Sequence, residues 1–145
     1  MIHETHLQNL EKMYGRANVN AFYQPRIKVG ETETEIEIDI LEKHFHSGGA
    51  IHGSVYFKML DDAAFFAASA LEPDFFVLTT TFTTYITRPV SSGILRSIGR
   101  VVNMTKSQFI VEAVAFDESA REVGRGNGLI VRSKMPLSEV AHYVD

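Results

Sequence analysis

Between His46 and Asp62 the chain sets a short loop, Ser47-Gly48-Gly49, ahead of Ile51-His52-Gly53-Ser54. An apolar helical pattern follows and carries two adjacent carboxylates, Asp61 and Asp62. Glycines let a backbone approach a ligand closely. A helix that begins near Gly53 offers unpaired N–H groups to a developing oxyanion. A carboxylate two to three turns into an otherwise apolar helix carries a desolvation cost that packing alone does not select. Together these residues point to acyl transfer or acyl hydrolysis. Asp61 and Asp62 stand about 100° apart around a helix axis, so the two cannot serve the same point.

The surrounding elements must hold that stretch in place. Leu7, Leu10, Met13 and Tyr14 recur at helical spacing, which predicts an amphipathic helix over 4–16, closed by Gly15 and packed as a lid. From Arg26 to Leu41 the period is two, with Ile36, Ile38 and Ile40 alternating with Glu35, Glu37 and Asp39. That predicts one half-buried strand with its acidic face in solvent. Residues 42–50 read as a loop. Residues 51–71 read as a helix of about five turns, apolar nearly all round and therefore buried. Four β-rich runs then follow, 75–87, 94–104, 108–116 and 122–132, separated by turn signals such as Pro89 and Ser91-Ser92-Gly93. Pro136 opens a tail expected to be helical to Tyr143. One strand, one long helix and four consecutive antiparallel strands describe an α+β fold in which a curved sheet wraps a central helix. Such a sheet leaves an edge strand open, so pairing with a second copy is expected.

Composition narrows the function classes. At 145 residues the chain suits a single domain, with 1–24 as N-terminal helix and lead-in and 134–145 as C-terminal tail. With no cysteine it has no disulfide, thiol nucleophile or thiolate metal site. The longest small or apolar run, Ala63 to Leu71, is about half a membrane crossing, and the N-terminus lacks the pattern of a signal peptide, so a cytoplasmic location without membrane association is expected. The net charge of −4 argues against nucleic-acid binding. The charge is uneven, however: residues 1–87 hold 6 Lys and Arg against 12 Asp and Glu, whereas residues 88–134 hold 8 against 4. Arg88, Arg125 and Lys134 in the basic half are candidates to meet phosphates of a small molecule.

The order strand, His-Gly helix, strands resembles the hotdog fold, and the motif resembles that of the PaaI-type acyl-CoA thioesterases. The residues that carry the resemblance are His52-Gly53, an acid nine residues after the histidine, small residues after it, and Arg88-Pro89 closing a later strand. It implies that Asp61 is the catalytic carboxylate, acting as general base toward water or as nucleophile on the thioester carbonyl. A free aspartate titrates near pH 3.9, so Asp61 is expected to be ionised at neutral pH. The resemblance makes the Gly53 backbone N–H the donor that polarises the carbonyl. Ser54 departs from the family's usual second glycine. His46 stands where the family commonly has Asn or Gln to orient the carbonyl or the water, and Thr79 aligns with a hydroxyl that holds the attacking water. His52 reads as a cap of the helix turn. With Ser54, Phe65, Phe82, Arg88 and Arg125 it makes up the expected substrate contacts, the aromatics (also Tyr56, Phe66, Phe75 and Phe76) lining an acyl tunnel and the arginines holding coenzyme A. The implied substrate is an acyl-CoA, with no cofactor or metal, in a homodimer or dimer of dimers.

Three other readings compete. His44-Phe45 resembles the start of a hotdog dehydratase motif, but that family has an acid five residues after the glycine, where this chain has Lys58, and its prolines are missing. A non-catalytic acyl-CoA-binding module on the same fold has no use for an unpaired buried Asp61. A zinc site made from His44, His46, His52 and an aspartate has suitable donors, but the glycines and the acid spacing are already explained without it.

Overall fold

The computed structural model describes residues 3–144. The N-terminal periodicity forms α1 (Glu4–Arg16), which buries Leu10, Met13 and Tyr14, and a short helix α2 (Asn20–Tyr23) follows. The alternating segment is two strands rather than the one expected. β1 (Arg26–Val29) and β2 (Thr34–Asp39) pair antiparallel with Val29 opposite Thr34. The reversal between them is tight: a Cβ on Gly30 would lie 2.7 Å from the Glu33 carbonyl oxygen. Glu31, Glu33 and Glu35 carry the polar alternation across this turn, which conceals it in the sequence. The loop after β2 contains a 3-10 turn, Glu42–His44. The long apolar helix is α3 (Gly53–Ala70). The four β-rich runs are β3 (Phe75–Ile86), β4 (Ile94–Met104), β5 (Gln108–Phe116) and β6 (Glu122–Pro136).

All six strands join one antiparallel sheet in the order β1-β2-β4-β5-β6-β3. The expected run of four consecutive neighbours is thereby corrected. β3 lies beyond β6 as an edge strand, and its link to β4 crosses the end of the sheet. This split lets the sheet curl around both flanks of α3, which packs against β2, β4, β5, β6 and β3. The closest approach is at Gly99 of β4, where a Cβ would sit 2.3 Å from the Ala63 carbonyl carbon. Nothing but glycine fits there without moving the helix. Beside it, the buried Ser97 hydroxyl donates to the Met59 carbonyl at 2.7 Å. These two contacts fix the rotation of α3 on either side of Asp61.

That rotation leaves α3 less buried than its composition suggests. Ser54 and Phe57 are exposed, Phe57 by 43%, and Lys58, Asp61 and Phe65 are half-buried. At spacings of three and four residues they form one stripe, and it runs beside the open edge of β3, where Leu78, Tyr85 and Ile86 are also exposed. The tail corrects another expectation. β6 continues to Pro136, paired with Phe75, and only Leu137–Glu139 makes a 3-10 turn in place of a helix. The tail is tied down at Tyr143, whose hydroxyl meets Nδ1 of buried His6 at 2.5 Å, while His6 Nε2 donates to the Ser69 carbonyl at 2.8 Å. Among the described residues no helix is long and apolar enough to cross a membrane.

Candidate active site

Helix α3 starts at His52, the N-cap, whose Nδ1 accepts the Ser54 backbone N–H at 3.0 Å. An acceptor nitrogen carries no proton, so the Ser54 hydroxyl, 2.8 Å from the same Nδ1, is its second donor. His52 is thus the expected cap, and Ser54 is bound to it. The Gly53 N–H, first in the helix, takes no acceptor among the described residues. It borders a cleft of about 310 Å³ that also receives His46, Tyr56, Ile86 and Arg88. His46 Nδ1 accepts the Gly48 N–H at 2.9 Å, which in the neutral ring leaves the proton on Nε2 as a donor. The Tyr56 hydroxyl donates to the Arg88 carbonyl at 2.6 Å and fixes the backbone beside the exposed Arg88 side chain.

Two turns along the helix lies a second and larger cavity of about 470 Å³. Asp61 is in its wall and accepts the Thr79 hydroxyl at 2.8 Å. Phe65, Phe66, Phe76 and Met13 supply apolar surface. Burial pushes the Asp61 carboxyl up to about 6; the Thr79 hydrogen bond opposes this, neighbouring Asp62 adds to it, and Lys58 opposes it. This corrects the expectation of an ordinary aspartate: Asp61 is mostly ionised at neutral pH and protonated in mild acid. Asp62 borders the same cavity but turns toward α1. It accepts the Tyr14 hydroxyl at 2.7 Å and pairs with Lys58.

The expected residues therefore fall into groups. Gly53, His46 and Arg88 share the cleft at the helix start, while Asp61, Thr79 and Phe65 share the larger cavity. Phe82 borders neither; its ring stands edge-on to Phe57 with centroids 5.8 Å apart and fills the space above Gly126 and Gly128. Arg125 borders neither cavity; its guanidinium makes two 2.7 Å contacts with Glu122 on the outer face of the sheet. The three histidines of the zinc reading bond to backbone N–H groups nearby. Among the described residues no three metal-binding side chains are grouped. Sequence reasoning misses Tyr14 and Lys58 as parts of the Asp61 cavity. Their signals are a polar tip on the apolar face of α1 and the four-residue spacing from Lys58 to Asp62.

The thioesterase superfamily profile matches residues 48–123, just over half of the chain. The chain belongs to the thioesterase superfamily. The matched span takes in Gly53, Asp61, Thr79 and Arg88 and leaves out His46 and Arg125. The solved structures that resemble the thioesterase fold seen here include the Escherichia coli PaaI protein from the phenylacetic acid degradation operon, at 15% identity, covering 94% of this chain and 99% of that one with a TM-score of 0.84. A thioesterase family protein from Silicibacter pomeroyi has 20% identity, coverage of 87% and 96%, and a TM-score of 0.79. A thioesterase from Haemophilus influenzae has 16% identity, coverage of 86% and 88%, and a TM-score of 0.76. At such identities the likeness is one of fold, and that fold is the hotdog of the PaaI-type proteins. No curated protein matches the chain at a significant level.

Proposed function

We propose that the protein hydrolyses acyl-CoA thioesters to a free acid and coenzyme A in the cytoplasm, with Asp61 as the reacting carboxylate. The observation that carries this reading is a partly desolvated carboxylate, aimed by Thr79 into an apolar cavity in a thioesterase-superfamily fold. The Asp61 carboxylate either takes a proton from water, which adds to the carbonyl carbon, or adds to that carbon itself and forms an anhydride that water opens. In both routes the C–S bond breaks and the thiolate leaves. Thr79 orients Asp61 rather than the water alone, since its proton is already committed to the carboxylate. The carbonyl oxygen takes the Gly53 N–H, and the His46 Nε2 proton is placed to orient the carbonyl or the water.

One chain does not assemble that constellation. Gly53 and Asp61 are eight residues apart on one helix, about 12 Å along its axis, whereas a reacting carbonyl lies about 3 Å from the attacking group and about 3 Å from the oxyanion donor, which holds the two within about 6 Å of each other. A second copy supplies the missing half. Two β3 edges paired antiparallel about Phe82–Thr83 set Thr79 across from Ile86 of the partner subunit. Thr79 holds Asp61, and Ile86 lies against Gly53, where a Cβ would be 3.3 Å from the Ile86 Cδ1. Each site then takes Asp61 from one subunit and Gly53 from the other. The unpaired β3 edge and the apolar stripe on α3 beside it are the surfaces that such pairing covers.

The test is release of free thiol from a panel of acyl-CoA thioesters, with saturable turnover expected for at least one acyl class. Binding without turnover across the panel would instead favour a non-catalytic acyl-CoA module. Arg88 adds a prediction. Its side chain is exposed at the Gly53 cleft and has no ion-pair partner among the described residues. Arg88→Ala is expected to raise KM for acyl-CoA about three- to tenfold with little change in kcat, because a phosphate contact persists from ground state to transition state. The same variant should leave acyl-N-acetylcysteamine, which lacks the nucleotide, unaffected. Equal impairment of both substrates would remove Arg88 from recognition.

A further inference from the structure

The hydrolytic reading leaves one polar cluster of the Asp61 cavity unused. Asp62 Oδ2 accepts the Tyr14 hydroxyl at 2.7 Å and contacts Lys58 Nζ, one helical turn back on the same face of α3. Lys58 Nζ also stands over two rings, 5.2 Å from the centroid of Tyr14 and 5.1 Å from that of Tyr23. The ion pair is largely withdrawn from water, with Lys58 14% and Asp62 19% exposed. Such a pair gives little net stability, since the cost of desolvating both charges offsets their attraction. Beside a reactive carboxylate it has another effect, because charges sheltered from water act on their neighbours at a reduced effective dielectric.

We propose that Asp62, Lys58 and Tyr14 are positioning residues for Asp61: Asp62 fixes a second negative charge beside it, Lys58 limits that charge, and Tyr14 ties α1 to the pair so that the helix roofs the cavity. The effect on rate rests on the hydrolytic reading; the effect on Asp61 itself does not. The polar groups that line the Asp61 cavity can be named element by element. α1 presents Tyr14, α3 presents Lys58 and Asp62, β3 presents the Thr79 hydroxyl, the segment before α2 presents the neutral Asn18, and the C-terminal tail presents His142. Of the fixed charges in this set, Asp62 and Lys58 bear on Asp61 with opposite sign. Tyr14 itself is held far toward its protonated form, by burial first and then by Asp62, so it remains a donor across the working pH range.

The experiment is a carboxyl carbon NMR titration of Asp61 in the full chain, assigned by its absence in Asp61→Asn, alongside the pH profile of kcat/KM. Asp62→Asn is expected to move the Asp61 midpoint down by about half a pH unit or more, and Lys58→Met to move it up by a similar amount. The double variant and Lys58→Arg are expected to stay within about 0.3 of a unit of the parent. Shifts of the same sign, or no shift in either single variant, overturn the proposal. If a single variant fails to fold, the double variant and Lys58→Arg still decide, because a shift beyond about half a unit in either contradicts a compensated pair. Tyr14→Phe removes only the hydroxyl that ties α1 to Asp62, and it should raise KM severalfold with kcat within about twofold. An unchanged KM overturns the roof. Titration that moves as stated in a protein without thioester turnover keeps the positioning role and removes the hydrolytic reading; turnover that needs Asp61 while its titration ignores both neighbours does the reverse.

Discussion

Asp61→Asn is expected to lower kcat/KM for acyl thioesters by about a thousandfold while making the folded protein more stable at neutral pH. The loss follows from removing the carboxylate proposed to react at the carbonyl carbon; positioned proton transfer alone typically contributes about a hundred- to ten-thousandfold. Asn keeps an acceptor for the Thr79 hydroxyl, so the cavity wall is preserved. The gain has its origin in burial. Asp61 titrates at about 6 in the folded chain against an ordinary 3.8, so the folded state holds this proton more tightly than the unfolded state does. Stability from this group is therefore greatest in acid, declines as pH rises between the two values, and is at a constant deficit above the higher one. The full difference corresponds to roughly 3 kcal/mol, and solvent access to the cavity reduces the expected gain for Asn to about 1–2 kcal/mol. Thermal unfolding should show a rise of about 3–6 °C at pH 8, vanishing below about pH 4. A variant less stable than the parent at pH 8 would contradict the desolvation account, and one that keeps activity would remove Asp61 from the chemistry.

The second large effect concerns how the site is divided. Gly53→Pro deletes the proposed oxyanion donor and asks only that the end of the Ile86 side chain, 3.3 Å from a Cβ at this position, give way slightly. Proline is well tolerated at the first helical position, where its missing N–H breaks no intrahelical bond. His52 already has φ −63° and ψ 147°, the extended conformation that a following proline requires. Gly53→Pro alone and Asp61→Asn alone should both be nearly inactive, the former down about a hundred- to a thousandfold. Mixed after subunit exchange, they should recover about a quarter of parental activity, since half of random dimers are mixed and one of the two sites in each is intact. Subunits that carried complete sites would give no recovery, because every chain in the mixture is then defective. Recovery therefore separates a shared site from an intrachain one without any knowledge of the acyl group.

The local elements around the candidate site are more legible in this sequence than the topology. The His52-Gly53 helix start, the position of Asp61 on the helix and the boundaries of α1, α3, β4 and β5 follow from local spacing, caps and turn signals, all of which lie within a few residues of the features they predict. Strand order is nonlocal. Nothing in Phe75–Ile86 announces that β3 pairs with β6, because a Thr-rich amphipathic strand fits either neighbour. The hairpin at Gly30 is hidden by alternating glutamates. Net charge groups Arg125 with Arg88, yet strand alternation turns the Arg125 side chain outward to Glu122, away from the helix. The titration of Asp61 escapes the sequence because spacing gives its face but not how much water reaches it. Tyr14 reads only as apolar packing, although its hydroxyl is the link from α1 to Asp62.

The claim that Asp61 acts as a carboxylate is tested most directly by measuring kcat/KM against pH on the same samples whose Asp61 carboxyl is titrated by NMR. A reacting carboxylate predicts that kcat/KM falls about tenfold per pH unit below a midpoint near 6 and is level above it, with the NMR midpoint in the same place. A rate that stays flat through the pH range in which Asp61 is seen to take up its proton would contradict it.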